Sequence, residues 1–295
     1  MIVFMDIMVI YLILVLLGLC LGSFAGASVW RLRARQLAQE NADGVTSNKE
    51  ENKKLHKLIG VKISKDHSQC LSCSYQLKWY DLIPLVSWLS LGGKCRKCRK
   101  PIGCMEPLIE IGVACFFLLS YIYWPYSLDN FFEISRLCLW LAAGVGFAIL
   151  FAYDKKWFIL PNSVNFTVIG LGATSSLLMI LSSQDKIGTL FSIIGSVLIL
   201  SGIYFVLYLI SHGKWIGFGD IKLGLGLALL LADWRLAFIA LFSANFIGCL
   251  IVLPALITRK MKRDSHIPFG PLLIVGAVLA CLLGSYLLYF YFFSF

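Results

Sequence analysis

The chain has 295 residues, of which 59% are hydrophobic and only 14% charged, with a net charge of +10. Soluble domains carry about a quarter charged residues, so this composition excludes an ordinary water-soluble enzyme and makes the bilayer the natural solvent. Few aromatics interleave the basic residues, which argues against nucleic acid as a partner; the positive charge reads as a signal of membrane topology.

A helix needs roughly 20 residues to cross about 30 Å of hydrocarbon. Eight apolar stretches approach that length, near 4–30, 107–125, 135–153, 162–182, 187–211, 216–233, 235–257 and 268–293. Backbone polar groups in lipid must be satisfied within the segment, and these unbroken runs lack the alternation of barrel strands. The expected fold class is therefore an all-α polytopic membrane protein. No Lys or Arg precedes the first stretch and its apolar run is too long for a signal-peptide core, so residues 1–30 are read as a retained helix.

Residues 31–106 form the one polar block, inserted between the first and second helices. From Arg31 to His67 it is charged and rich in Asn, with few apolar residues to offset the entropy of ordering. That part predicts a solvated connector, partly helical or mobile. Further on, Cys70, Cys73, Cys95 and Cys98 make two CxxC pairs with 21 residues between them. Two thiolates at that short spacing can hold one face of a metal, and a second pair brought round by a loop closes a tetrahedral zinc site. Lys94, Arg96, Lys97 and Arg99 would offset the charge of four thiolates. A closed four-Cys site has no open position, so the zinc would be structural, stapling a domain too small to hold itself together. Disulfides are the competing reading, and a cytoplasmic location argues against them. The other cysteines lack ligand spacing and read as small hydrophobes.

Residues 107–295 read as a seven-helix membrane domain, in which three carboxylates stand out because acidic groups at membrane depth are costly and mark function. Glu110 lies one turn into the second span in "MEPLIE"; a support or substrate-contact role and a plain interhelical hydrogen bond fit it equally. Asp154 ends the third span in "FAYDKKWFILPN", and Asp220 begins the sixth in "GFGDIKLGLG". Gly217 and Gly219 before Asp220 would permit unusual backbone angles and the close approach of a helix or a substrate strand. Two carboxylates from different helices at one depth suggest an aspartyl-protease dyad that shares one proton: the ionised member activates water while the other donates to the scissile carbonyl. The bland alternative pairs either Asp with Lys155, Lys156 or Lys222.

Basic residues accumulate in cytoplasmic loops. Of 26 Lys plus Arg, 15 lie between Arg31 and Lys100, two follow Asp154, two flank the 212–222 turn and four occupy Arg259–Arg263. This distribution predicts that the cysteine block and both Asp residues face the cytoplasm.

Taken in order, "GSFAGASVWRL" at 22–32, the two CxxC pairs with "DLIPLVSWL" between them, "PLIE" at 107–110, "DKKWFILPN" at 154–162, "GFGD" at 217–220 and "IPFGP" at 267–271 resemble the type IV prepilin peptidase family, whose members are bifunctional leader peptidases and N-methyltransferases. The resemblance spans nearly the whole chain. It implies that Asp154 and Asp220 cleave a short basic leader from prepilins or pseudopilins after Gly. It also implies that the new N-terminal residue is methylated with S-adenosylmethionine. No glycine-rich cradle occurs in the cytoplasmic block, so the sequence places no cofactor-binding site, and it says nothing of oligomeric state. Two rival readings are a GxGD membrane protease without methyl transfer and an ion- or proton-coupled transporter; the cysteine block favours the bifunctional form, and the lack of an internal repeat argues against the transporter.

Overall fold

The computed structural model describes residues 2–44, 49–55, 58–59, 67–258 and 267–293. Among the described residues the regular structure is helical, apart from two isolated antiparallel bridges, Gln69 with Gln76 and Lys94 with Pro101. The basic run Arg259–Arg263 and parts of the 31–67 connector lie outside the described residues. Among the described residues, seven helical stretches are long and apolar enough to cross a membrane: Ile7–Ala42, Met105–Ile122, Phe131–Trp157, Asn162–Ser182, Lys186–Ser211, Trp234–Ile257 and Gly270–Leu288. They make the chain a multi-pass membrane protein.

The expected sixth span, 216–233, is the exception. Its helix, which starts only at Phe218 and stops at Leu231, has 14 residues, or about 21 Å at the α-helical rise. His212 and Gly213, with φ of 49° and 76°, end the preceding helix, and residues 214–217 remain irregular. At the other end Ala232 adopts a left-handed conformation and donates its N–H to Ala228. The segment is an interior helix with eight buried residues. Hydropathy alone cannot tell an interior helix from one that crosses lipid.

The chain forms two compact units, Met1–Phe117 and Leu118–Phe295. The first contains α1 (Ile2–Ala42), α2 (Lys49–Leu55), α3 (Val86–Ser90) and the greater part of α4 (Met105–Ile122). Past residue 30, α1 continues through the charged sequence because that sequence builds its own small core. Arg33 is buried and pairs with Glu40 at 3.3 Å and Glu51 at 2.7 Å, while Leu37 and Leu55 are fully buried. Lower on α1, a Cβ added at Gly18 or Gly22 would stand 2.6 Å from the Cα of Ala114 or of Glu110. Two glycines one turn apart thus let the backbones of α1 and α4 touch, the small-residue crossing used between membrane helices.

The second unit contains α5 (Phe131–Trp157), α6 (Asn162–Ser182), α7 (Lys186–Val197), a π-type turn (Leu198–Gly202), α8 (Ile203–Ser211), the short α9 (Phe218–Leu231), α10 (Trp234–Ile257) and α11 (Gly270–Phe293). Asn130 starts α5 by accepting the N–H of Glu133. At its centre α9 packs closely on α6: a Cβ at Gly226 would lie 2.8 Å from Cγ1 of Val168, and one at Gly172 would lie 2.9 Å from the Gly226 carbonyl. These contacts fix the height of Asp220 against α6.

Candidate active site and metal centre

In the first unit the two CxxC pairs form matching knuckles. The N–H of Cys70 bonds to Tyr75 O and that of Ser74 returns to Cys70 O; the N–H of Cys95 bonds to Lys100 O and that of Arg99 returns to Cys95 O. Ser74 and Arg99 occupy the same place in each turn and share the same left-handed backbone, with φ of 58° and 57°. The turns bring four sulfurs within 4.8 Å of one another, with Cys70–Cys98 and Cys73–Cys95 both at 3.9 Å. Four Zn–S bonds of about 2.3 Å in tetrahedral geometry require sulfur separations of about 3.8 Å, so the donor set fits zinc. The same distance is far beyond a disulfide bond.

The thiols are unequal. Burial opposes the Cys95 thiolate, but the N–H groups of Cys98 and Lys97 and the thiols of Cys70 and Cys98 outweigh it and hold Cys95 at about 7. Burial pushes Cys70 up to about 12. A metal binding here must displace protons from the reluctant members, which makes its affinity pH-dependent. Around the knuckle, Arg96 pairs with Asp81 at 2.8 Å and lies over the Tyr80 ring. Glu110 is buried on α4 and accepts the N–H of Leu85 at 2.8 Å, where Leu85 has a φ of 56°. Its role in the geometry is to hold the loop between the two cysteine pairs.

In the second unit Asp154 occupies the last turn of α5, which Phe158 closes in a left-handed conformation with its N–H on Asp154 O. The carboxylate is buried, and its Oδ2 accepts the N–H of Gly270, the first residue of α11, at 3.0 Å. A helix N-terminus offers free N–H groups and positive potential, a suitable seat for a carboxylate. A Cβ at 270 would stand 2.9 Å from Asp154 Oδ2 and 3.2 Å from Leu160 Cδ2, so a larger residue would push the carboxylate aside. Pro271, in the first helical turn, forfeits an N–H that the helix could not have used.

Asp220 lies in the first turn of α9, half-buried, its N–H on Gly217 O at 3.1 Å. Asp154 acts on it through space. Leu160 stands between the two: its side chain borders Gly270 beside Asp154 and Gly219 beside Asp220. Gly217 has an ordinary φ of −77° and Gly219 does not have a positive φ, so the expectation of unusual angles fails. Close approach is the reason for the glycines. A Cβ at 219 would be 3.0 Å from Leu160 Cβ, and one at 217 would be 3.3 Å from Asp220 Oδ2. Among the described residues neither Asp is ion-paired, and Lys222 donates instead to Asn162 at 2.7 Å.

With both sites described, the chain can be set beside known proteins. Residues 16–124 match the family model of the bacterial peptidase A24 N-terminal domain. The chain is 27% identical over 276 residues to a prepilin leader peptidase/N-methyltransferase of Pseudomonas aeruginosa, an alignment covering 92% of this chain and 89% of the relative. It is 29% identical over 233 residues to the prepilin leader peptidase/N-methyltransferase of Bacillus subtilis, covering 79% of this chain and 88% of that one. An Escherichia coli type 4 prepilin-like proteins leader peptide-processing enzyme is 27% identical over 266 residues, covering 88% and 89%. Over most of its length the chain is similar to prepilin leader peptidases. No solved structure matches it.

The structure adds residues to which sequence reasoning gave no role. Gly270 was visible only as part of "IPFGP"; its task is performed by a backbone N–H, which leaves no chemical mark in a sequence. Leu160 and Asn165 are equally silent. Asn165 is fully buried on α6 and its Nδ2 donates to Gly219 O at 3.3 Å, tethering the turn that carries Asp220. A polar residue in the first turn of an apolar helix was the available signal. Asp233, by contrast, caps α10 by accepting the N–H of Arg235, at the far end of α9 from Asp220.

Proposed function

We propose that this chain removes the short basic leader from type IV prepilins or pseudopilins by aspartyl-protease chemistry and then methylates the new N-terminal residue. The relatives' names supply the substrate class and the two activities. The observation that supports the chemistry is the placement of Asp154 and Asp220 on separate helices around Leu160, with neither ion-paired among the described residues. One carboxylate, ionised, takes a proton from water as the water attacks the scissile carbonyl; the other, protonated, donates to the carbonyl oxygen. The Gly270 N–H holds Asp154 in place, and Leu160 keeps an apolar wall between the glycine-lined approaches.

The clustering of basic residues supports the cytoplasmic face of the cell membrane as the side of this chemistry, where a basic leader stays in water and the apolar start of the mature pilin enters lipid. Cys70, Cys73, Cys95 and Cys98 hold a structural zinc that ties the two knuckles together. S-adenosylmethionine is the methyl donor in this reading, a co-substrate consumed in each transfer. Incubating the purified protein with a prepilin-like peptide and S-adenosylmethionine, then weighing the products, tests both steps. The expected products are the free leader and a mature peptide heavier by one methyl group; an intact peptide would refute the reading.

A further inference from the structure

Beside the two carboxylates lies a third polar group. Tyr204, in the first turn of α8, is 4% exposed. Asn245 and Asp220 lie close enough to act on its hydroxyl, which makes no hydrogen bond of full distance and angle with a described group. Its ring packs edge-on against Phe269 with centroids 5.3 Å apart. Phe269 directly precedes Gly270, whose N–H holds Asp154. The tyrosine therefore braces the Asp154 anchor with its ring, on a helix whose preceding turn is tied beside Asp220.

The helix carrying Tyr204 is broken in the way needed to aim it. In the π-type turn before it, the N–H of Ile203 bonds to Leu198 O, five residues back. The extra residue rotates everything downstream by about 100° relative to an unbroken α-helix. Such turns are rare and concentrate at functional positions. This one is docked on α9 just beyond Asp220: Ser201 Oγ donates to Ile221 O at 3.1 Å, and Gly224 packs on the Leu200 carbonyl. The phase of Tyr204 is thus fixed against the same turn that carries the carboxylate.

A buried hydroxyl without a partner is costly unless a partner arrives, and hydrogen bonds in unliganded active sites commonly tighten only when substrate binds. We propose that Tyr204 is a positioning residue for Asp220, its hydroxyl hydrogen-bonding the Asp220 carboxyl group in the substrate-bound enzyme. This inference rests on the dyad reading given above. The phenol fixes the carboxyl rotamer that faces the scissile bond, and it acts through Asp220 rather than on the peptide.

Tyr204→Phe removes the hydroxyl and keeps the ring on Phe269. In the purified full-length chain, assayed with a prepilin-like peptide, this variant lowers kcat for cleavage about 10- to 100-fold, the effect of losing one hydrogen bond to an ionisable partner. KM stays within about twofold, and methylation of a pre-cleaved peptide continues at the parental rate. Three results overturn the inference: unchanged kcat, a raised KM at unchanged kcat, or equal loss of both activities, which would make Tyr204 a folding residue. Asp220→Asn is assayed alongside. If Asp220→Asn still cleaves, the dyad reading itself fails; an inactive Asp220→Asn beside a fully active Tyr204→Phe sinks the role of Tyr204 alone.

Discussion

The two candidate sites of this chain are built in opposite ways. The cysteine site is local: its four ligands fall within one short polar block, and each pair is shaped by its own backbone turn. The carboxylate site is assembled from distant sequence, with Asp154 ending α5, Asp220 opening α9 and the Gly270 N–H opening α11. A local site depends on its ligands to exist, because little apolar surface is there to hold the block without metal. A distributed site depends on helix packing and tolerates loss of a reacting group without loss of shape. The contrast separates damage to chemistry from damage to structure.

The largest expected effect breaks the distributed site chemically. Asp154→Asn and Asp220→Asn each lower leader cleavage by about a hundred- to ten-thousandfold, while thermal unfolding in detergent stays near that of the parent. Peptide mass spectrometry beside a melting curve checks both halves, and a variant cleaving near the parental rate would remove its residue from the dyad. Next comes the local site. Metal analysis of the freshly purified chain should find one zinc, and Cys95→Ser should lose it and loosen the knuckle. Methylation of a pre-cleaved peptide then falls more than cleavage does; the reverse order would show that the cysteine block serves the peptidase.

Smaller changes sharpen the contrast. Gly270→Ala puts a methyl group against Asp154 Oδ2 and Leu160, and should lower kcat for cleavage about tenfold through a displaced carboxylate, an effect comparable to one lost hydrogen bond. Metal content is unchanged in that variant, as atomic absorption would show. Gly18→Ala presses a methyl group onto the Ala114 backbone and should destabilise the first unit by about 1–3 kcal/mol. A lowered melting temperature with normal zinc and near-normal cleavage is the expected pattern.

The same contrast explains what the sequence could reveal. Four cysteines at two-residue gaps carry their geometry in their spacing, so the sulfur cluster was legible before any fold was known. Asp154 and Asp220 were legible because carboxylates stand out against apolar surroundings. Gly270 was not, since its N–H belongs to a backbone group that every residue but proline possesses. Gly217 and Gly219 were noticed for a partly mistaken reason: their backbone angles are ordinary, and the crowding that requires them comes from Leu160 and from Asp220 itself. The sixth apolar stretch is shorter as a helix than its hydropathy suggested, because residues 214–217 at its entry stay irregular and the helix starts only at Phe218.

Helix α9, fourteen residues long, is about 21 Å from end to end, against a hydrocarbon layer of about 30 Å. Hydrolysis consumes a water molecule at every turnover, and a full-length span would place its first turn at the lipid surface or bury it behind hydrocarbon. A short helix surrounded by longer ones shifts that boundary. Hydrophobic mismatch of this kind thins or dimples the adjoining layer at a modest cost per ångström, so the irregular residues 214–217 above Asp220 can stay wet. In the proposed peptidase the shortness of one helix would thereby supply the second reactant without a channel having to be cut through the bundle.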